Sequence, residues 1–140
     1  MIKDNVSKYQ TIIKAPIEKV WDALVNPEIV KQYFFGSTQE TDWKIGSQIV
    51  WTGEYDGTKY VEKGKVIEFI PNQKLSYSYL SSWSGLEDKE ENYLYVIYEV
   101  KSVEDYTELT ITQSNYDEDK AKHSSENWAV VINGLKNLVE

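Results

Sequence analysis

Cysteine and arginine are both absent from the 140 residues, and histidine occurs once. Without thiols there can be no disulfide, no thiol nucleophile and no cysteine-ligated metal. Without guanidinium groups the chain lacks the planar fork that grips carboxylates and phosphates at two points, which argues against nucleotide and phosphoryl-transfer chemistry. The single imidazole, His123, excludes a metal site built from several histidines, and no metal or cofactor is expected. No apolar run approaches the thickness of a bilayer, so no membrane association is expected. The opening stretch MIKDNVSKYQ has no apolar signal core, which predicts a cytoplasmic protein. No glycine-rich phosphate loop occurs. Basic residues are also scarce: 15 against 23 acidic ones, all of them lysine, for a formal net charge of −8. Such a surface repels phosphate backbones, so nucleic acid is not an expected partner.

The size, 16.3 kDa, and a 41% hydrophobic content predict one domain over residues 1–140 with a core of its own. Its apolar residues are weighted toward 11 Tyr and 5 Trp against 3 Phe. Each such ring buries a large surface yet carries a polar atom that needs a partner. Two readings stand open: a ligand-facing or partly wet interior, or strand surfaces simply enriched in aromatics.

The clearest periodic segment is the last one. In SSENWAVVINGLKNLVE, residues Trp128, Val131, Ile132, Leu135, Leu138 and Val139 fall on one helical stripe, with Asn133, Lys136, Asn137 and Glu140 opposite. Ser124 or Ser125 is a candidate N-cap, and Asp117, Glu118 and Asp119 suit the start of a longer helix. Gly134 lies beside the stripe, where a missing side chain admits a close neighbour or is simply tolerated at a cost of about 1 kcal/mol.

Ahead of that helix the chain is mostly strands. Residues 7–14 alternate and end at Ala15-Pro16, with Pro16 expected at N1 of a first helix carrying Ile17, Val20, Trp21, Leu24 and Val25. Asn26 and Pro27 read as cap and N1 of a second, short helix reaching about Phe34. Strands are then expected over 38–43, 47–55, 59–70, 74–81, 92–102 and 106–115, with Asp56-Gly57 the strongest hairpin signal. A loop containing Trp83 and the acids Glu87, Asp88, Glu90 and Glu91 interrupts them. Short turns between successive strands predict an antiparallel meander that curls around the last helix, α+β in class.

Three segments carry a resemblance. IIKAPIEKVWDALVNPE holds Ala15, Pro16, Val20, Trp21, Ala23, Leu24, Pro27 and Glu28. GKVIEFIPNQKLSYSY holds Gly64, Val66, Glu68, Pro71, Leu75 and Tyr77. TELTITQ and NWAVVINGLKNLVE hold Thr107, Leu109, Trp128, Leu135 and Leu138. In these the chain resembles the START-like helix-grip superfamily (SRPBCC, which includes the birch-pollen-allergen fold). It is most similar to homologues of the activator of heat-shock protein ninety ATPase. The resemblance implies a curved antiparallel sheet of six or seven strands wrapped around a long C-terminal helix, with two short helices after the first strand. It departs from the family at Tyr33, Tyr79, Gln113 and Asn127. Its motifs are caps, turns and core positions, so they speak to fold rather than chemistry.

Candidate chemistry is thin. His123 as a general base would need a carboxylate within reach, and a helix-face histidine near a cavity mouth is the simpler reading. Ser124 and Ser125 are adjacent to it on a helix and so do not face it. The acidic clusters lack calcium-loop spacing and read as solvated loops. No catalytic residue is assigned. What remains is a set of aromatics that strand alternation turns one way, Trp51, Tyr55, Tyr77, Tyr79 and Tyr98, joined by Gln113 and Trp128. Aromatic walls with few polar groups suit an apolar or aromatic small molecule, while a filled core is the rival reading. Non-enzymatic ligand binding is therefore the leading expectation. The resemblance implies two alternatives: docking on the heat-shock chaperone to stimulate its ATPase, and a cyclase- or aromatase-like activity.

Overall fold

The computed structural model describes residues 5–81 and 85–140, the side chains of Tyr55 and Ser81 excepted. Strand β1, Asn5–Ile13, alternates inward Ser7 and Ile13 with outward Val6, Lys8, Gln10 and Ile12. Two helices follow, α1 (Ile17–Val25) and α2 (Pro27–Tyr33). Then come β2 (Thr38–Glu40), β3 (Gln48–Tyr55), β4 (Thr58–Ile70), β5 (Lys74–Ser81), β6 (Leu94–Val103) and β7 (Tyr106–Asn115). The chain ends in α3, Glu118–Val139. The strands form one seven-stranded sheet in the order β1-β7-β6-β5-β4-β3-β2, antiparallel throughout. Strands β3 to β7 are a simple meander; α1 and α2 carry the chain from β1 at one edge to β2 at the other.

Local chemistry explains most boundaries. Asn26 accepts from the Glu28 N–H at 3.0 Å and Pro27 opens α2, a cap followed by a residue already set to helical φ. Asp56 and Gly57 take φ of 50° and 78° between the paired residues Tyr55 and Thr58, the two-residue turn whose twist matches the flanking strands. Pro16, expected inside α1, is instead its N-cap: its ψ is 156°, and its carbonyl accepts from Val20 at 3.2 Å. The N-cap of α3 is Asp117, which accepts from the Lys120 N–H at 2.7 Å. Ser124 and Ser125 therefore lie a turn or more inside the helix, and Ser124 is buried. The Thr38–Trp43 strand shortens to Thr38–Glu40, since the Thr41 and Asp42 side chains accept from the N–H groups of Trp43 and Lys44 and turn the chain. Likewise a 3₁₀ turn at Glu90–Asn92 delays β6 to Leu94. The Trp83 part of the preceding loop lies outside the described residues.

The apolar stripe of α3 rests on the concave face of the sheet. Ile132 and Leu135 are wholly enclosed, and Trp128, Val131 and Val139 nearly so. Leu138, expected on the same stripe, is 42% exposed. At about 100° per residue it falls on the stripe's margin, past the edge that the sheet covers. Gly134 faces α2, where a Cβ would stand 3.1 Å from the Cβ of Tyr33. The absent side chain lets the two helices meet. The core fills the end of the hollow where α1 packs, with Trp21, Trp43 and Phe69 in ring contact at 5.6 and 5.3 Å.

Candidate functional site

Inward side chains on the sheet line up in cross-strand rows. One row runs Val66, Tyr77, Val96, Gln113, Ser7 across β4, β5, β6, β7 and β1. The next, one step toward α1, runs Phe69, Leu75, Tyr98, Ile111, Tyr9. The second row meets Trp21 of α1 at Phe69 and Trp128 of α3 at Tyr98, and its Leu75, Tyr98 and Ile111 belong to the buried core. Beyond the first row, under the N-terminal half of α3, the hollow stays open as a cleft of about 780 Å³.

Rings make its walls. Trp51, Tyr77 and Tyr79 line the sheet side, with Trp51 at 4.8 Å from Tyr77 and edge-on to Tyr79 at 6.1 Å. Trp128 lines the helix side, edge-on to Phe34 at 6.0 Å. At the rim Phe35 is 67% exposed and takes φ of 55°, a left-handed backbone that costs a bulky residue about 1–2 kcal/mol.

The polar ends of these rings are tethered. Trp51 Nε1 donates to Gln39 Oε1 at 2.8 Å, and Trp128 Nε1 donates to Gln113 Oε1 at 2.8 Å. The Tyr77 and Tyr98 hydroxyls bond each other at 2.9 Å, and the Tyr79 hydroxyl donates to Glu62 Oε2 at 3.2 Å. With those atoms engaged, the rings present carbon to the cleft. Burial pushes the phenols of Tyr33, Tyr77 and Tyr98 well above their ordinary value, so they stay neutral at physiological pH.

Of the seven expected site residues, Trp51, Tyr77, Tyr79, Gln113 and Trp128 stand on this cleft. Tyr98 does not. It lies one row deeper, its ring edge-on to Trp128 at 5.6 Å and its hydroxyl supporting Tyr77 from behind. The side chain of Tyr55 lies outside the described residues. Gln113 finds its partners within the protein: beyond Trp128, its amide donates to Asn115 Oδ1 at 3.2 Å. The space is nevertheless left unfilled by the rings around it.

Sequence reasoning missed Tyr60 and Glu62, both in the lining. The signal was present, because a two-residue turn fixes register by counting outward. From Tyr55 opposite Thr58 the inward pairs are Gly53 with Tyr60 and Trp51 with Glu62. The Tyr60 ring occupies the place of the missing Gly53 side chain, where a Cβ would lie 2.4 Å from its hydroxyl oxygen. That hydroxyl bonds Ser37 at 2.5 Å. His123 lies at the helix side of the mouth, exposed, with Nδ1 2.9 Å from the Asp119 carbonyl and 3.7 Å from its carboxylate. No group of three or more acidic or histidine side chains able to hold a metal is found among the described residues. Nor is any of their helices long and apolar enough to cross a membrane.

The family model described as "Activator of Hsp90 ATPase homolog 1-like protein" matches residues 14–140. The chain belongs to this family. Its sheet, long terminal helix and paired early helices are those of the wider helix-grip (SRPBCC) superfamily. The solution structure of ChR145 from Cytophaga hutchinsonii is similar at a TM-score of 0.84 and 45% identity, over 99% of this chain and 94% of that one. The Aha1 dimer from Colwellia psychrerythraea is similar at 0.74 and 24%, covering 96% of each chain. CalU16 from Micromonospora echinospora shares the fold at 0.74 and 16%, over 96% of this chain and 83% of that one. None of the curated proteins matches the chain.

Proposed function

We propose that the protein binds a small apolar or aromatic molecule in the cleft and performs no covalent chemistry on it. The observation that carries this reading is the volume of about 780 Å³ left open between rings whose polar atoms are already paired. That size lies within the usual range of small-molecule sites, and predominantly aromatic lining with a few fixed polar groups is their usual make-up. On the described lining His123 rests on Asp119 rather than on a serine or threonine hydroxyl, and the hydroxyl paired with a carboxylate is the Tyr79 phenol on Glu62. A thermal-shift screen of an apolar and aromatic library tests it. A hit should raise Tm and move the indole N–H resonances of Trp51 and Trp128 in an NMR titration. A library without a stabilising member, or hits that leave both indoles unmoved, would count against the cleft.

A second reading is favoured by family membership and by the likeness to the Colwellia Aha1 dimer. In it the domain docks on the heat-shock chaperone and stimulates its ATPase. Pull-down with that chaperone and an ATPase assay across a protein titration decide it. A raised turnover supports docking, and an unchanged rate with no capture removes it.

A further inference from the structure

We infer that the ligand of this cleft carries a carbonyl oxygen on an aromatic body, and that this oxygen accepts a hydrogen bond from the Tyr77 hydroxyl. The inference rests on the small-molecule reading above and names the chemistry of its ligand.

It follows from counting hydrogens. The hydroxyls of Tyr77 and Tyr98 stand 2.9 Å apart, and the bond between them engages both oxygens but only one of the two hydrogens. Neither hydroxyl makes a second hydrogen bond among the described residues. The third buried phenol, Tyr33, donates to the Ala23 carbonyl at 2.7 Å and bonds neither of them. Which hydrogen is left over depends on where each ring lies. Tyr98 is a core residue with Leu75 and Ile111 for cross-strand neighbours, and it does not line the cleft. Were Tyr77 the donor, the Tyr98 hydrogen would point into apolar core without an acceptor, the costly arrangement for a buried O–H. With Tyr98 donating, the unpaired hydrogen belongs to Tyr77, which lines the cleft. Tyr77 is only 4% exposed, so a molecule seated in the cleft is the partner in reach. The burial that holds this phenol neutral also keeps it a donor.

Gln113 repeats the pattern in the same cross-strand row. The Trp128 indole can only donate, so the Gln113 atom that meets it at 2.8 Å is the carbonyl oxygen, and the amide nitrogen turns to Asn115. One N–H goes to Asn115 Oδ1, and the second makes no bond among the described residues. Gln113 lies two strands from Tyr77, about 10 Å along the wall at ordinary strand spacing. Two unpaired hydrogens on neutral groups make this wall a donor surface. A lone pair left over on oxygen is tolerated more readily than an unpaired N–H or O–H, so the ligand that fits is one that accepts. A carbonyl on an aromatic frame does so without carrying a charge between the rings of Trp51 and Trp128.

Two naphthalenes of one shape test the donor: the methyl ketone and its isopropenyl isostere, in which a methylene replaces the oxygen. Calorimetric titration of the native protein should find the ketone at least as tight as the isostere, although it gives up more hydration to enter. In Tyr77→Phe the ketone should weaken about tenfold while the isostere stays within about threefold. In Tyr98→Phe, where Tyr77 keeps its hydrogen, the ketone should hold its standing against the isostere. The infrared carbonyl stretch of the bound ketone should sit at its hydrogen-bonded position on the native protein and at its apolar-solvent position in Tyr77→Phe. A native protein that binds the isostere about tenfold more tightly than the ketone overturns the inference and leaves the small-molecule reading intact. So does a ketone affinity unchanged in Tyr77→Phe. A preference for the ketone that emerges only in Tyr98→Phe does the same, because Tyr77 would then be the donor within the pair. Failure of both ligands to bind overturns both readings. Should Tyr77→Phe not fold, the native comparison and the carbonyl stretch decide.

Discussion

The indole N–H of Trp128 on α3 donates to the side-chain carbonyl of Gln113 on β7 at 2.8 Å, across the inner wall of the cleft. From there the bonds run on through Asn115 to Ser7, and Ser7 Oγ returns to Ser124 Oγ on α3 at 3.0 Å. The long helix is thus stitched to the two strands beneath it by a polar loop, at the end where apolar packing stops. Trp128→Phe keeps a ring but removes the donor, leaving the Gln113 carbonyl without it. Stability should drop by about 1–3 kcal/mol in urea melts. A neutral result would mean that the loop contributes nothing to holding α3.

Leu135 and Leu138 test the seating of the same helix. Both lie on the apolar stripe of the sequence, yet Leu135 is wholly enclosed and Leu138 is 42% exposed. Leu135→Ala should cost about 2–5 kcal/mol through lost burial and the cavity left behind. Leu138→Ala should stay within about 1 kcal/mol of the parent. Equal losses in denaturant melts would show that the helix sits rotated from the position described.

How much of this was legible follows from what alternation and periodicity encode. Strand alternation tells which side a residue faces, and so turns Tyr77, Tyr79 and Gln113 inward with Leu75 and Leu109. It does not tell how far along the hollow a residue lies. Tyr98 shares its face with Val96, yet the ladder to Leu75 and Ile111 carries it one row deeper, under α3 and out of the cleft. Depth is set by register between strands and by where α1 plugs the sheet, and both are long-range. Glu62 is legible by counting from the Asp56-Gly57 turn, although a charge in a strand reads as solvent-facing. Cap identity at α3 turned on geometry: Asp117 and Ser124 are both good caps, and the chain's exit from β7 at Asn115 selects the earlier one.

Two glycines should respond differently to a side chain. Gly57 has φ of 78° with open space around its Cβ position, so Gly57→Val meets only backbone strain, about 1–2 kcal/mol. Gly64 sits where β4 crosses close over β5, and a Cβ would lie 1.6 Å from the Ser78 carbonyl oxygen. Backbone must move, beside a ladder whose register already shifts between Val66 and Glu68. Gly64→Ala should cost at least about 3 kcal/mol or abolish folding. Thermal melts in which the Gly57 change is the worse of the two would contradict the close approach of β4 and β5.

Alkaline pH should expose the buried phenols. Tyr33, Tyr77 and Tyr98 are raised above their ordinary value, chiefly by burial. The folded protein therefore keeps protons that the unfolded chain begins to release near pH 10. The stability they contribute is complete below that pH and is lost as pH climbs toward the folded-state values. Tyrosinate absorbance should then show some of the 11 tyrosines ionising only as circular dichroism reports unfolding. Full ionisation near pH 10 with the fold intact would place these phenols in water.

Gly134 sets two effects of similar size against each other. Alanine in a helix interior is favoured over glycine by about 1 kcal/mol. Against that, the new Cβ would stand 3.1 Å from Tyr33 Cβ, closer than ordinary contact, and α2 must give by a few tenths of an ångström. Tyr33 resists, because its hydroxyl donates to the Ala23 carbonyl at 2.7 Å and ties α2 back to α1. Gly134→Ala should therefore come out within about 1 kcal/mol of the parent, the helix gain offset by the contact. Gly134→Val adds bulk without adding helix preference and should be destabilising by about 1–3 kcal/mol. Since α2 leads directly to Phe34, whose ring meets Trp128 at 6.0 Å, the displacement should reach the mouth of the cleft. Its reading is a shift of the Trp128 indole resonance in the valine variant, larger than in the alanine one. A valine variant as stable as the parent, with that resonance unmoved, would show that α2 and α3 do not touch at Gly134.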